Sequence, residues 1–344
     1  MRKILYQIVL LVLCVSPCLA ASSFDDFQKE ELDGFAQYLD KETNSYFAFE
    51  KEIVKEWGGF KGSTPKLWVD YSKNLSTRST VNFEKGFVEI ESLVPVTTQS
   101  PVKAALPAIK KHLHKIDSKC NKQAGFSIES TGANKPNIQK KAIILKPSTE
   151  NGKKIVKVRI PLPSDYLRKS AAKYKRDVLK NAAVYGIDPK FVFAVIHTES
   201  YFNPFARSHV PAFGLMQLVP KSGGRDAYQY VFKKSVTPTA AYLYNSKNNI
   251  QLGVAYLGKL KNVYFKGVKD IMTSYLVSVA AYNTGPGNVA RTLTGTTNLS
   301  KTVQKVNTMT AKEVYTALLN NLPHNETKQY VKKVVERSRL YSNS

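Results

Sequence analysis

The sequence has little of what usually fixes a protein's class at sight. Cysteine is scarce, with 3 in 344 residues. Two of them, Cys14 and Cys18, fall in an apolar leader, so a cleaved chain keeps Cys120 alone. One cysteine makes neither an intramolecular disulfide nor a cysteine metal site. Negative charge is also short: 26 Asp and Glu stand against 51 Lys and Arg, a formal net charge of +25. Low-complexity tracts and internal repeats are missing, which excludes wholesale disorder and repeat arrays. What is present suits folded cores, with 43% hydrophobic and 11% aromatic residues. On the rough prior of 100–200 residues per domain, the chain holds two.

Met1-Arg2-Lys3 precedes an apolar run from Ile4 to Leu19, interrupted by Gln7, Ser16 and Pro17, and then Ala20-Ala21-Ser22-Ser23. A positive start, a short apolar core and small residues at the cut form a secretory signal over residues 1–20. The run is too short for a membrane span. Cleavage after Ala20 predicts a periplasmic protein. Lipidation at Cys18, giving an outer-membrane lipoprotein, is the weaker alternative, because Pro17 is a poor residue before a lipidated cysteine. Export removes nucleic acid from the partners that a basic chain attracts, leaving anionic lipid and anionic polymers. The lysines are dispersed rather than interleaved with aromatics on one helix face, which also speaks against a nucleic-acid groove.

The hydropathy pattern changes period midway. Residues from about Phe24 to Glu56 read as helix, ended by Trp57-Gly58-Gly59. Leu67–Tyr71 reads as a strand and Thr80–Val94 as a hairpin around Glu84-Lys85-Gly86. A helix is expected from about Pro101 to Ile116. Ala142–Leu145 and Ile155–Ile160 read as strands joined by a turn over Pro147–Gly152. After Pro161-Leu162-Pro163 the pattern becomes helical. Leu167, Ala171, Tyr174, Val178 and Tyr185 share one face of a helix that Ser164 or Asp165 could cap and Gly186 could end. Asp188-Pro189 opens the next. Further helices are expected over Ile250–Val263, Ile271–Ala281, Ala311–Asn320 and Thr327–Leu340, the third started by a Thr310/Glu313 capping box. The fold class is α+β: a mixed α/β domain over 21–162, then a mostly helical domain over 163–344.

On the Asp188-Pro189 helix, Val192, Val195 and Ile196 form a buried stripe, and Glu199 follows at i+4 and i+3 from the last two. A carboxyl placed there loses water, which disfavours its charged form and suits a general acid near neutrality. A solvent-facing glutamate is the plainer alternative. After Glu199-Ser200 come Tyr201-Phe202-Asn203-Pro204-Phe205-Ala206, Ser208 and Gly214-Leu215-Met216-Gln217. Asn203-Pro204 suggests a turn, and a short helix is expected from Leu215. His197-Thr198-Glu199 lacks the second histidine of a zinc-protease helix, and His112 and His114 cannot share a helix face, so no metal and no cofactor are expected.

These motifs, with Ala281-Tyr282-Asn283 and Glu326-Thr327-Lys328-Gln329-Tyr330-Val331, occur in the order found in the soluble lytic transglycosylase domain. Pro189–Val334 resembles that domain, which has a goose-type-lysozyme-like fold. The tracts Trp68-Val69-Asp70-Tyr71 and Thr77–Phe83 are similar to the non-catalytic first domain of a membrane-bound member. One departure is Asn245-Ser246, where the family often has Asp-Pro ahead of Asn249-Ile250; it reads as a loop variation away from the chemistry.

The resemblance implies cleavage of peptidoglycan glycan strands by one carboxylate, Glu199, acting first as acid and then as base, with 1,6-anhydro-muramyl ends as product. It implies that Tyr330 orients Glu199 and that Asn283, beside Tyr282, holds an N-acetyl group. Gln217 and Met216 would shape the cleft, and Ser208 would hydrogen-bond near Glu199. Asp226, Asp270, Glu313 and Glu326 could each fold back as a second carboxylate, leaving a muramidase as one alternative. A non-catalytic peptidoglycan-binding protein is the other. The positive charge suits the stem-peptide carboxylates of peptidoglycan and peripheral association with anionic envelope surfaces.

Overall fold

The computed structural model describes residues 47–128 and 142–342. The signal segment, and the helix expected from Phe24 as far as residue 46, lie outside the described residues. The chain forms two compact units, Met1–Phe60 and Lys61–Ser344. Within the first, residues 47–57 are helical (α1), with Ile53 and Trp57 buried. The helix stops at Gly58, whose φ is 74°. Among the described residues no helix is long and apolar enough to cross a membrane.

The second unit is α+β. Its sheet has five antiparallel strands in the order β1-β2-β3-β5-β4: β1 (Leu67–Tyr71), β2 (Thr77–Asn82), β3 (Phe87–Pro95), β4 (Ile143–Glu150) and β5 (Lys153–Pro161). Alternation sends Val88, Ile90, Val156, Val158 and Ile160 to one face. There they bury against Ala105, Ile109, Leu113 and Ile116 of α2 (Pro101–Lys119). Helix α2 outruns the sequence expectation by three residues, then winds one wider turn to a left-handed Gly125.

The β4–β5 turn is narrower than the sequence suggests. Only Asn151 and Gly152 have positive φ, 47° and 70°, the pattern of a two-residue hairpin turn. Pro147 to Glu150 instead continue β4. The register shifts between Leu145 and Ser148, and an edge strand tolerates the missing proline N–H there.

Helix α3 (Tyr166–Tyr185) joins the sheet to the helices. Tyr166 Oη donates to the Phe83 carbonyl, Ser170 Oγ to that of Ala124 at 2.7 Å, and Tyr174 Oη to that of Gln123. Asp165 precedes the helix without a side-chain capping bond; it pairs with Arg168 and Lys169 at 3.0 and 3.2 Å. The helix ends at left-handed Gly186. Helix α4 (Pro189–Ser200) starts as expected, the Asp188 carboxylate accepting from the Lys190 amide at 3.0 Å.

Beyond it lie α5 (Arg225–Phe232), α6 (Ala240–Tyr244), α7 (Ser246–Lys259), α8 (Ile271–Thr284), α9 (Pro286–Thr294), α10 (Leu299–Val306), α11 (Ala311–Asn321) and α12 (Asn325–Ser338). Of these, α5, α6, α9 and α10 were not anticipated. Helix α7 begins four residues early because Asn245 caps it, accepting from the Lys247 and Asn248 amides at 3.1 and 3.2 Å. Asn245-Ser246 thus supplies a helix start, not a loop. Helix α11 has the expected capping box: the Glu313 amide donates to Thr310 Oγ1 at 3.3 Å, and the Thr310 amide to Glu313 Oε2 at 2.7 Å.

Candidate active site

Helix α4 is apolar almost all round, with Phe191 through Ile196 buried. Such a helix belongs inside a bundle. Its last turn brings Glu199 to the cluster formed with Leu215, Met216, Tyr275, Val279, Tyr330 and Val334. Glu199 is half-buried. Its pKa is pushed up to about 8, chiefly by loss of water; the Tyr330 hydroxyl counters this and the charge of Glu326 adds to it. At neutral pH the carboxyl therefore keeps its proton.

Two consecutive residues end α4 in the left-handed region, Tyr201 at φ 53° and Phe202 at φ 61°. For side chains with a Cβ this costs about 1–2 kcal/mol per residue. Ser200, fully buried, donates Oγ to the carbonyls of Leu215 at 2.8 Å and Ile196 at 3.1 Å. The helix end is thereby tied to the Gly-Leu-Met-Gln segment.

That segment is not the expected short helix. Gly214–Gln217 forms a tight turn closed by the Phe213/Leu218 bridge. Gly214 has φ 75°, and a Cβ there would lie 2.5 Å from both Asn249 Nδ2 and the Leu243 carbonyl. Asn249, wholly buried on α7, holds the turn. It accepts from the Met216 amide at 2.8 Å and donates to the carbonyls of Phe213 and Leu243 at 2.8 and 2.9 Å. A helix over these residues would compete for the same backbone groups, and Asn249 wins.

The expected site residues divide. Met216 is fully buried, its side chain against Gly253, so it contributes through its carbonyl, which accepts from Tyr282 Oη at 2.8 Å. Ser208 Oγ donates to the Val210 carbonyl and accepts from the Ala212 amide at 3.0 Å; these hydrogen bonds shape its own loop and not Glu199. Gln217 donates Nε2 to the Gly214 carbonyl at 2.9 Å, while its Oε1 is buried without a partner among the described residues.

Tyr282 and Tyr330 stand by Glu199. Both phenols are raised well above their ordinary value, first by burial and then by the neighbouring Glu199. Tyr330, 6% exposed, packs its ring in the core beside Val334 and faces its hydroxyl to the Glu199 carboxyl. No hydrogen bond of full geometry closes between them, and the hydroxyl has no other partner among the described residues. Asn283, next along α8, is half-buried, and its amide bonds to none of the described residues.

Of the four carboxylates that could have served as a second acid or base, three are engaged elsewhere. Asp226 binds Lys259 and Tyr264, Asp270 caps α8, and Glu313 belongs to its capping box. Glu326 is exposed, one helical turn before Tyr330. Among the described residues no three His, Cys, Asp or Glu side chains gather as a metal site. His197 is buried, its Nδ1 3.0 Å from Tyr341 Oη, and its pKa is pushed down to about 3, mainly by burial.

Asn249 and Ser200, which support the turn, belong to no motif that points to this role. A lone asparagine on the apolar stripe of α7 was the available signal for the first.

The stretch that builds most of this site, residues 177–305, matches the transglycosylase SLT domain family. It contains Glu199, Ser208, Met216, Gln217, Tyr282 and Asn283; Tyr330 lies beyond it. The region that carries the site is thus similar in sequence to a transglycosylase domain. Over almost its whole length the chain is similar to proteins named membrane-bound lytic murein transglycosylase C. With that of Cronobacter sakazakii it shares 28% identity over 354 residues, 96% of each chain. With that of Salmonella typhimurium it shares 29% over 370 residues, 99% of each. Among solved structures, the 70 kDa soluble lytic transglycosylase of Escherichia coli aligns at 22% identity with a TM-score of 0.38. That alignment covers 52% of this chain and 26% of the longer one.

Proposed function

We propose that this enzyme cleaves the β-1,4 bond between N-acetylmuramic acid and N-acetylglucosamine in peptidoglycan, with Glu199 as its single acid and base. The observation that carries the reading is a carboxyl at the end of a buried helix, with its pKa lifted to about 8 and a tyrosine hydroxyl facing it. Protonated Glu199 gives its proton to the bridging oxygen as the bond from the muramyl anomeric carbon breaks. The muramyl N-acetyl carbonyl stabilises that electron-poor carbon from within the substrate. Glu199, now a carboxylate, takes the proton from the muramyl O6, whose oxygen attacks the carbon and closes a 1,6-anhydro ring. The acid is regenerated and no water is consumed.

In this scheme Tyr330 orients the carboxyl, Asn283 offers its side-chain amide to the N-acetyl group, and the Oε1 of Gln217 is an acceptor with no partner among the described residues. Residues 163–344 act as the catalytic domain and 21–162 as the accessory one, in a protein exported after cleavage of residues 1–20. The basic surface holds the enzyme to anionic glycan and envelope.

Glu326 gives a muramidase its one foothold, since its charge is felt at Glu199 and a hydrolase needs a second carboxylate to activate water. Mass spectrometry of digested sacculi separates the two readings. Wild type is expected to release 1,6-anhydro-muramyl ends and Glu199→Gln essentially none. Reducing muramyl ends, or undiminished cleavage by Glu199→Gln, would overturn the proposal.

A further inference from the structure

The turn that follows Glu199 is held from two sides, and one of them is the sheet. Tyr201 and Phe202 occupy the left-handed region in succession, a conformation that persists only where the surroundings over-determine it. From the helices, Arg337 on α12 donates Nη1 to the His197 carbonyl at 3.0 Å and Nη2 to Tyr201 Oη, and its guanidinium lies 4.5 Å from the centre of the Tyr201 ring.

Residues 65–68, at the start of β1, close the other side. Asn203, fully buried, donates Nδ2 to the Pro65 carbonyl at 3.0 Å and accepts from the Phe205 amide at 3.0 Å. Trp68 stacks on Phe205 with ring centres 4.0 Å apart and planes 22° apart. Lys66, paired with Glu84 at 2.7 Å, lies 5.2 Å from the Tyr201 ring centre. The Asn203 amide in turn donates to the Ser200 carbonyl at 3.0 Å. A chain of contacts thus runs from the sheet to the residue beside Glu199.

We propose that Pro65, Trp68 and Asn203 are positioning residues for Glu199. The accessory half takes part in the reaction by clamping the strained turn. If the clamp loosens, the last turn of α4 frays, water reaches the carboxyl and its pKa falls toward the ordinary glutamate range. The proposal rests on the reading of Glu199 as the general acid. A sheet that merely packs against the loop would change the amount of folded enzyme and nothing at the carboxyl.

The test compares full-length wild type, Trp68→Ala, Trp68→Phe, Asn203→Asp and Glu199→Gln on sacculi, recording kcat, KM, melting temperature and the pH at which kcat declines on the alkaline side. A general acid loses activity as it deprotonates, so that decline reports its pKa. Trp68→Ala is expected to lower kcat by about tenfold or more while KM changes by less than about threefold. Its alkaline decline should move at least about one pH unit toward acid, and Trp68→Phe should recover both. Asn203→Asp keeps the acceptor for Phe205 and loses the donor to Pro65, so it carries the same expectation if Trp68→Ala does not fold. A folded variant with an unmoved alkaline decline, or with kcat lowered only in proportion to lost folded protein, would reject the clamp. Wild-type activity in Glu199→Gln would instead reject the acid assignment beneath it.

Discussion

At the scale of single residues, Glu199 is set apart by what surrounds it. Unfolded, a glutamate titrates near 4.5, and in this fold Glu199 holds its proton to about 8. Between those values the native state binds a proton that the unfolded chain has released, so stability falls as pH rises through that window and levels off above it. Below about pH 4.5 both states are protonated and the penalty vanishes. Glu199→Gln, which has no charge to bury, is expected to be more stable than wild type at pH 9 by on the order of a few kcal/mol and so to melt higher, with the gap closing by pH 4.5. Thermal melts across pH check this; a gap that does not vary with pH would contradict it. The sequence alone placed this carboxyl on the right helix face, because three apolar residues at helical spacing precede it. It could not show that Met216 would turn fully inward or that Ser208 would bond only within its loop. Both depend on backbone paths set by partners distant in the chain.

Among elements, those with a long, regular pattern were legible. The bounds of β1 are those expected, and the Thr310 box starts α11, since both signals are local. Helices α5, α6, α9 and α10 are 5 to 9 residues long, too short for a helical period to stand out from loop composition. The Gly214–Gln217 turn is not legible locally for another reason: Asn249, which dictates it, lies more than thirty residues downstream. That dependence is testable through Gly214→Ala. The added Cβ meets the Asn249 amide and the Leu243 carbonyl at 2.5 Å, on a backbone already in the left-handed region. A loss of more than about 2 kcal/mol in denaturant unfolding is expected, together with lower activity. A neutral Gly214→Ala would mean that the turn and Asn249 are not coupled as described.

For the molecule as a whole, the sheet and the helical bundle are one compact unit from Lys61 to Ser344. Buried ion pairs stiffen the sheet. Glu91, 1% exposed, meets Arg78 at 2.6 Å and Lys157 at 3.1 Å, which overcome the cost of its burial and hold its pKa down to about 2. The net charge of +25 acts at longer range. The proposed attraction to anionic glycan would be screened as the Debye length shrinks from roughly 10 Å at 0.1 M salt to about 3 Å at 1 M. Co-sedimentation with sacculi is therefore expected to weaken steadily over that range, and salt-independent pelleting would remove charge from the account of substrate binding.

The most direct test of the central claim follows the Glu199 carboxyl itself. In protein carrying carbon-13 at the glutamate side chains, NMR titration of wild type is expected to show one carboxyl resonance with its midpoint near pH 8, missing from Glu199→Gln. If every glutamate resonance in folded wild type instead titrated below about pH 5, the enzyme would have no acid in hand at neutral pH and the account would fail.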